Sequence, residues 1–254
     1  MKLNIVPART GLLWVKLGIQ TFLKQPLAMA GLVFLYSAAA GLLLLVPLAG
    51  PFLMMALVPM GTLGLMAATK LAEGRKFPMP TILLTAFRTS RDRVRAMLVL
   101  GALYAAFLFV LMMAVSLLVD IPVADKTSAE VFESHEFQVA ATWVAVLYLP
   151  ISLMFWHAPA LVHWHGVPPL KSLFFSFVAC LRNAGAFAVY GLAWAGVALA
   201  VVILAMLAGA ISPSASGVVF GACTTLATVT FYTSIWFTFR DSFLGTEDNP
   251  GETL

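Results

Sequence analysis

The polar positions of this chain fall in clusters separated by long apolar runs. From Leu27 to Val46, twenty consecutive residues carry no charge, and Tyr36 and Ser37 hold their only strong hydrogen-bonding side-chain groups. A helix rises about 1.5 Å per residue, so this stretch covers about 30 Å, the hydrocarbon thickness of a bilayer. The pattern predicts a first span at about 27–48 and five more at about 52–71, 94–119, 139–162, 184–208 and 218–239. The fold class is therefore all-α, a polytopic membrane protein of six transmembrane helices. Pro59, Pro150 and Pro159 fall inside these spans. A proline removes one backbone donor, so each predicts a kink.

Shorter mixed segments precede the spans. Lys16, Gln20 and Lys24 recur every four residues among Leu12, Leu13, Trp14, Leu17, Ile19, Phe22 and Leu23. That spacing predicts an amphipathic helix lying at the membrane interface, with its lysines reaching the headgroups and Pro26 turning the chain into the first span. Apolar stretches at 81–87 and 170–181 predict two further interfacial helices. Leu83 to Phe87 resembles Leu173 to Phe177 at an offset of ninety residues, and each follows a proline turn. The chain reads as three parallel units, about 10–72, 80–165 and 168–240, each an interfacial helix followed by a helical hairpin. Together they make one integral membrane domain, 1–240, with a flexible polar tail at 241–254. Inverted repeats, the usual basis of alternating access, are not what this pattern describes.

Composition strengthens the membrane reading. Sixty-one per cent of residues are hydrophobic and 10% charged, and mean hydropathy is +0.97. Soluble domains carry about 25% charged residues. The formal charge of +4 is unevenly placed. An N-terminus in the cytoplasm puts fourteen of the fifteen Lys and Arg residues on that side, with Lys126 alone opposite. This positive-inside pattern predicts N-in, C-in topology and gives no nucleic-acid footprint. Lys16, Lys24, Arg88, Arg91, Arg93 and Arg95 are the candidate contacts to lipid headgroups. The first span is expected to be retained and not cleaved as a signal peptide. Cys180 and Cys223 read as free cysteines inside apolar helices.

Catalytic signals are missing from the sequence. No HExxH, GxSxG or P-loop pattern occurs, and the central parts of the spans hold almost no ionisable groups. Uncharged polar residues, among them Tyr36, Ser37, Thr62, Ser116, Ser152, Thr224, Thr225, Thr228, Thr230 and Thr233, could line a path, and the competing expectation is that their hydroxyls bond to the preceding helical turn or to a neighbouring helix. Gly/Ala-rich faces at 38–41 and 191–196 suit close helix packing. The acidic loop at 120–136 reads as solvated, its carboxylates not spaced as a calcium loop requires. The richest polar cluster is His157, His163, Trp164 and His165. Three imidazoles are a metal-ligand set, but positions six and two apart do not share a helical face. A break at the Gly166–Pro168 turn would be needed to gather them. An interfacial aromatic belt with Trp156 and Trp164 is the competing reading. No catalytic residue, metal or other cofactor is assigned.

Several blocks resemble a known family. They are Trp14, Gln25-Pro26-Leu27, Pro47-Leu48-Ala49-Gly50-Pro51, Leu63 to Ala68, Phe87-Arg88, Ala158-Pro159-Ala160-Leu161-Val162, Trp164-His165-Gly166, Leu173-Phe174-Phe175-Ser176 and Arg182-Asn183. In these the chain resembles the BPSS1780-like proteins, an uncharacterised family of six-span bacterial inner-membrane proteins. The resemblance implies a multi-pass location in the cell inner membrane and no particular activity. It adds Arg182 and Asn183 to the candidate functional cluster, as residues that could hold the fifth span against the fourth.

Three functions remain in view. The first is a non-enzymatic accessory or scaffold protein that binds membrane lipids or another inner-membrane protein. The alternative is a transporter or channel for an uncharged or lipid-like solute, opened at the proline kinks. The third is an enzyme or metal site at the histidines. Substrate, partner identity and oligomeric state are not written in the sequence.

Overall fold

The structure is a computed structural model that describes residues 2–119, 131 and 134–243. The acidic carboxylates Asp120, Asp125, Glu130 and Glu133, Lys126, and the tail beyond Phe243 lie outside the described residues. The chain is all-α. A short helix α1 (Thr10–Lys24) leads into two long ones, α2 (Pro26–Leu43) and α3 (Gly50–Glu73). A 3-10 helix (Pro80–Phe87) precedes α4 (Arg91–Leu118) and α5 (His135–Trp156), which continues after one residue as α6 (Ala158–His165). Then come α7 (Pro169–Arg182), α8 (Ala184–Gly209) and α9 (Pro213–Phe243). Among the described residues six helical segments are long and apolar enough to cross a membrane, counting α5 and α6 as one.

The helix ends follow local chemistry. The Ser90 hydroxyl accepts from the Arg93 N–H at 3.5 Å and the Ser134 hydroxyl from the Phe137 N–H at 3.2 Å, capping α4 and α5. Gly166 closes α6 at φ +64°, a left-handed conformation that costs glycine little. At the end of α3 the left-handed position falls instead on Arg75, φ +58°. There the Lys76 N–H reaches Leu71 O and the Arg75 N–H reaches Ala72 O, a Schellman closure with a residue other than glycine at its tight point.

The described residues form two compact units. The first holds the described residues of Met1–Gly41, Met60–Thr89 and Val178–Leu254. Its centre is the C-terminal part of α9, where Thr233 to Phe239, Ser242 and Phe243 are all buried. Helices α1, α8 and α9 pack on one another. In lipid there is no hydrophobic gain from bringing helices together, so close packing depends on small residues. A side-chain carbon on Gly11 would overlap the Ala186 carbonyl oxygen of α8 and lie 2.7 Å from the Tyr190 nitrogen. One on Gly18 would lie 2.6 Å from the Ser234 side chain of α9. The buried face of α1 is accordingly Gly11, Trp14, Val15, Gly18, Thr21 and Phe22, with Lys16, Gln20 and Lys24 turned outward. A second layer joins Phe22 with Met29, Leu32 and Val33 of α2, Leu65, Ala68 and Ala72 of α3, and Val229 of α9. Tyr36 of α2 lies against Gly61 of α3, and Leu83 of the 3-10 helix against Gly64.

The second unit holds Leu42–Pro59 and Ser90–Phe177. Here α4 packs on α5 and α6. Tyr104 and Phe155 meet edge to face at 4.9 Å between ring centres, and the Tyr104 and Tyr148 hydroxyls share a hydrogen bond of 2.9 Å.

Two expectations need correction. Pro159 does not kink a continuous helix. The helix breaks at His157, and Pro159 sits in the first turn of α6, where the missing N–H has no intrahelical partner to lose. The tail does not begin at 241 either. Asp241, Ser242 and Phe243 are the last turn of α9, held there by hydrogen bonds and burial. Pro59 and Pro150 do lie inside α3 and α5. The hydroxyls of Ser116, Ser152, Thr225, Thr230 and Thr233 each donate to a carbonyl three or four residues back.

Candidate functional site

The described residues gather polar chemistry in two places, one in each unit. In the second unit it lies at the break between α5 and α6. In a regular helix the His157 N–H would donate to the Leu153 carbonyl. Instead the Ser176 hydroxyl of α7 stands between them, accepting from the His157 N–H at 2.9 Å and donating to Leu153 O at 2.7 Å. A side chain inserted into the helical ladder opens it at that point. Helix α6 then restarts with its Leu161 N–H on His157 O at 3.0 Å. His157 and Ser176 are both fully buried. Ser176, the last residue of one block that carries the family resemblance, thus bonds to the residue just before another, Ala158 to Val162.

His163, Trp164 and His165 are half-buried at the end of α6. His163 and Trp164 pack their rings edge to face at 6.0 Å. Arg93 is exposed and donates to the His163 carbonyl at 3.0 Å, satisfying a C-terminal carbonyl of α6 with a positive charge. Among the described residues no group of three or more His, Cys, Asp or Glu is placed to hold a metal ion. The gathered imidazoles that a metal site would need are not found.

In the first unit the polar chemistry joins the N-terminal segment, α1 and α3 to the C-terminal part of α9. Glu73, the last residue of α3, accepts from the Trp236 indole N–H at 2.8 Å and from the Arg240 guanidinium at 2.6 Å. Arg240 also donates to Asp241 at 2.7 Å, and Asp241 accepts from the Trp14 indole N–H at 2.9 Å. Lys24 donates to the Glu73 carbonyl at 3.0 Å, and the Lys70 ammonium lies 5.5 Å above the Trp236 ring. Asn183, 1% exposed, accepts from the Val6 N–H at 2.8 Å and donates to Asn4 O at 3.1 Å and to the Ser242 hydroxyl at 3.4 Å. Asn4 in turn donates from its backbone to Ser242 O and from its side chain to Asp241 O, both at 2.8 Å. The N-terminal strap therefore covers carbonyls in the last described turn of α9.

The sequence-predicted residues now have places. Asn183 bonds to the strap and to α9, while the neighbouring Arg182 is exposed. His157 is internal to the clasp. Lys16, Arg88, Arg91 and Arg95 are exposed, whereas Lys24 and Arg93 each cap the C-terminal end of a helix. Glu73, Arg240, Asp241, Trp236, Asn4 and Ser176 were not singled out as site residues by the sequence. The available signal was two tryptophans, Trp14 and Trp236, inside apolar runs, and isolated carboxylates, Glu73 and Asp241, at the ends of others, because a buried indole N–H needs an acceptor.

The ion pair has a measurable weight. Glu73 and Arg240 side chains are 33% and 28% exposed, so their attraction is partly screened. A double-mutant cycle of Glu73→Gln and Arg240→Gln, read by thermal unfolding in detergent, is expected to give a coupling of about 1 kcal/mol. A coupling indistinguishable from zero would remove the pair from the account of what holds α3 to α9.

Comparison with known proteins places the chain. It is 39% identical over 254 residues to "Probable inner membrane protein BTH_II0599" of Burkholderia thailandensis, covering 96% of this chain and 94% of that one. No family model matches the chain, and no solved structure matches it. Identity at that level along nearly the whole length, with six membrane-length apolar helices in the chain, leads to one assignment. The chain belongs to the same family of multi-pass bacterial inner-membrane proteins as this Burkholderia protein.

Proposed function

We propose that the protein is a non-enzymatic inner-membrane accessory or scaffold protein that binds membrane proteins or lipids. The observation that carries the reading is the surface of α8. Among its eighteen most apolar consecutive residues only 6% are buried, and the polar groups of Glu73, Trp236 and Arg240 are meanwhile spent on joining helix ends. A helix so little covered by its own chain presents its flank to lipid or to another membrane helix. Gly191 and Gly196 on α8 have open space where a side chain would begin.

The same reading takes the chain as a member of the BPSS1780-like proteins in particular, supported by shared blocks such as Ala158–Val162 and Leu173–Ser176. It takes the topology as N-in, C-in, supported by the one-sided distribution of Lys and Arg. The element order of short helix and two long spans, repeated along the chain, supports three parallel hairpin units.

A second reading, transport of an uncharged or lipid-like solute, is favoured by a cavity of about 510 Å³ between α8 and α9. Trp194, Phe220, Thr224 and Thr228 are among its lining residues. One preparation separates the two. The protein is extracted with its surrounding native membrane by an amphipathic copolymer and subjected to mass spectrometry. A membrane protein recovered in stoichiometric amount is the expected result. A protein recovered without any partner, carrying one small molecule, would replace the scaffold reading with transport. A reporter fused after Leu254 checks the C-terminal side in the same strain, with cytoplasmic activity expected.

A further inference from the structure

The segment between α3 and α4 does not simply cross the interface. Leu83 lies against Gly64, nine positions before the end of α3. At about 1.5 Å per residue the 3-10 helix has therefore doubled back about 14 Å along α3. Between this returning segment and α3 is a cavity of about 290 Å³. Leu71, Met79 and Ile82 form its apolar wall, while Thr81, Thr85 and Arg88 contribute polar groups. Phe77 and Met79, which also line it, are 62% and 61% exposed. Arg75 and Lys76 lead into the segment, both exposed, with Arg75 held at φ +58°. No acidic side chain occurs between Glu73 and Asp92, and Glu73 is engaged by Arg240 and Trp236.

The geometry points to a binding site for one anionic phospholipid in this cavity, its phosphate against Arg88 and its upper acyl carbons along Leu71, Met79 and Ile82. The inference rests on the lipid-binding part of the proposed function and narrows it to one site and one chemical class. The occupant must be amphiphilic, because a guanidinium stands beside an apolar wall. It must be anionic, because the fixed charges around the opening are positive. It must come from the membrane, because the segment lies between the end of one membrane-length helix and the start of the next, with exposed aromatic and thioether side chains that water would not favour. Thr85 already donates to Ile82 O, which leaves its oxygen as an acceptor and Arg88 as the charge-bearing donor.

The test uses the whole protein in detergent micelles, with lipid retention measured by native mass spectrometry. The added probes are phosphatidylglycerol, phosphatidylcholine and inorganic phosphate. Phosphatidylglycerol should be retained as one molecule per chain and phosphatidylcholine should not. Arg88→Gln should weaken retention about fivefold, the factor expected for one basic residue at an anionic headgroup. Thr81→Trp, an exposed position whose larger side chain fills the opening, should abolish it without changing charge. Lys171→Gln, at an exposed position of α7, should leave it unchanged. Equal losses for Lys171→Gln and Arg88→Gln would mean diffuse attraction to basic residues; the cavity site would fall while the broader lipid-binding reading stood. Retention unaffected by Thr81→Trp would also overturn the site. Competition by millimolar inorganic phosphate as effective as by the lipid would identify a soluble anion as the ligand and overturn the phospholipid assignment.

Discussion

Gly11→Ala should destabilise the protein by about 3 kcal/mol, at the upper end of what overpacking by one methyl usually costs. The reason is what the new carbon meets. It would overlap the Ala186 carbonyl oxygen and lie 2.7 Å from the Tyr190 nitrogen, both backbone atoms of α8. A flexible side chain could swing away from such a contact, but a helix backbone moves only as a whole. Separating α1 from α8 would also disturb Trp14, which packs on Phe187 and Tyr190 at 5.3 and 6.0 Å between ring centres. Gly191→Ala is the control. Nothing lies within 4 Å of the added carbon there, so the substitution should be neutral or stabilise by about 0.5–1 kcal/mol through helix propensity. Unfolding temperatures of the two variants in the same detergent decide the matter. Equal behaviour would mean that α1 is not seated against α8 as described.

Ser176→Ala should cost about 2 kcal/mol. The hydroxyl serves the His157 N–H and the Leu153 carbonyl together, and each buried polar group that loses its partner costs about 1–3 kcal/mol. Some of that is recovered if the two backbone groups close on each other and α5 continues straight. Ser172→Ala, one turn earlier on α7, is the comparison. Its hydroxyl donates only to Pro169 O within its own helix, and its loss should cost less than about 1 kcal/mol. Equal effects of the two alanines on unfolding would show that the hydroxyl of Ser176 does not hold the break open.

The spans were legible because hydropathy over about twenty residues is a local property, and lipid enforces it without reference to the rest of the fold. The short helices before them were legible for a similar reason, since the Lys16, Gln20 and Lys24 spacing marks one face of a helix. What escaped was everything fixed by a partner far away in sequence. Pro159 reads as a kink inside a run of apolar residues. It sits at a helix start because its ring and missing N–H disfavour a continuous helix and Ser176 takes over the hydrogen bond at His157. Asp241 reads as the first residue of an acidic tail until Trp14 supplies it with an indole donor. Asn183 was singled out through the family resemblance and expected to hold the fifth span to the fourth. Its bonds run instead to the N-terminal strap and to Ser242, neither of which carries a local signal. The histidines stood out because imidazoles are scarce and they fall within nine residues. Their structural roles differ: His157 is enclosed in the clasp, and the others end α6.

The bond between Trp14 and Asp241 spans 227 residues of sequence. A ribosome adds about 5–20 residues per second, so roughly 10–45 s separate the synthesis of its two halves. Throughout that interval α1 has been made and its seat on α9 has not. A chain cut short inside α9, before Trp236, keeps five of its six membrane segments and loses the α9 partners of Trp14, Asn4 and Glu73 together. Truncated copies would thus reach the membrane with an unseated first helix and strap, a ready handle for the proteases that clear unfinished membrane proteins.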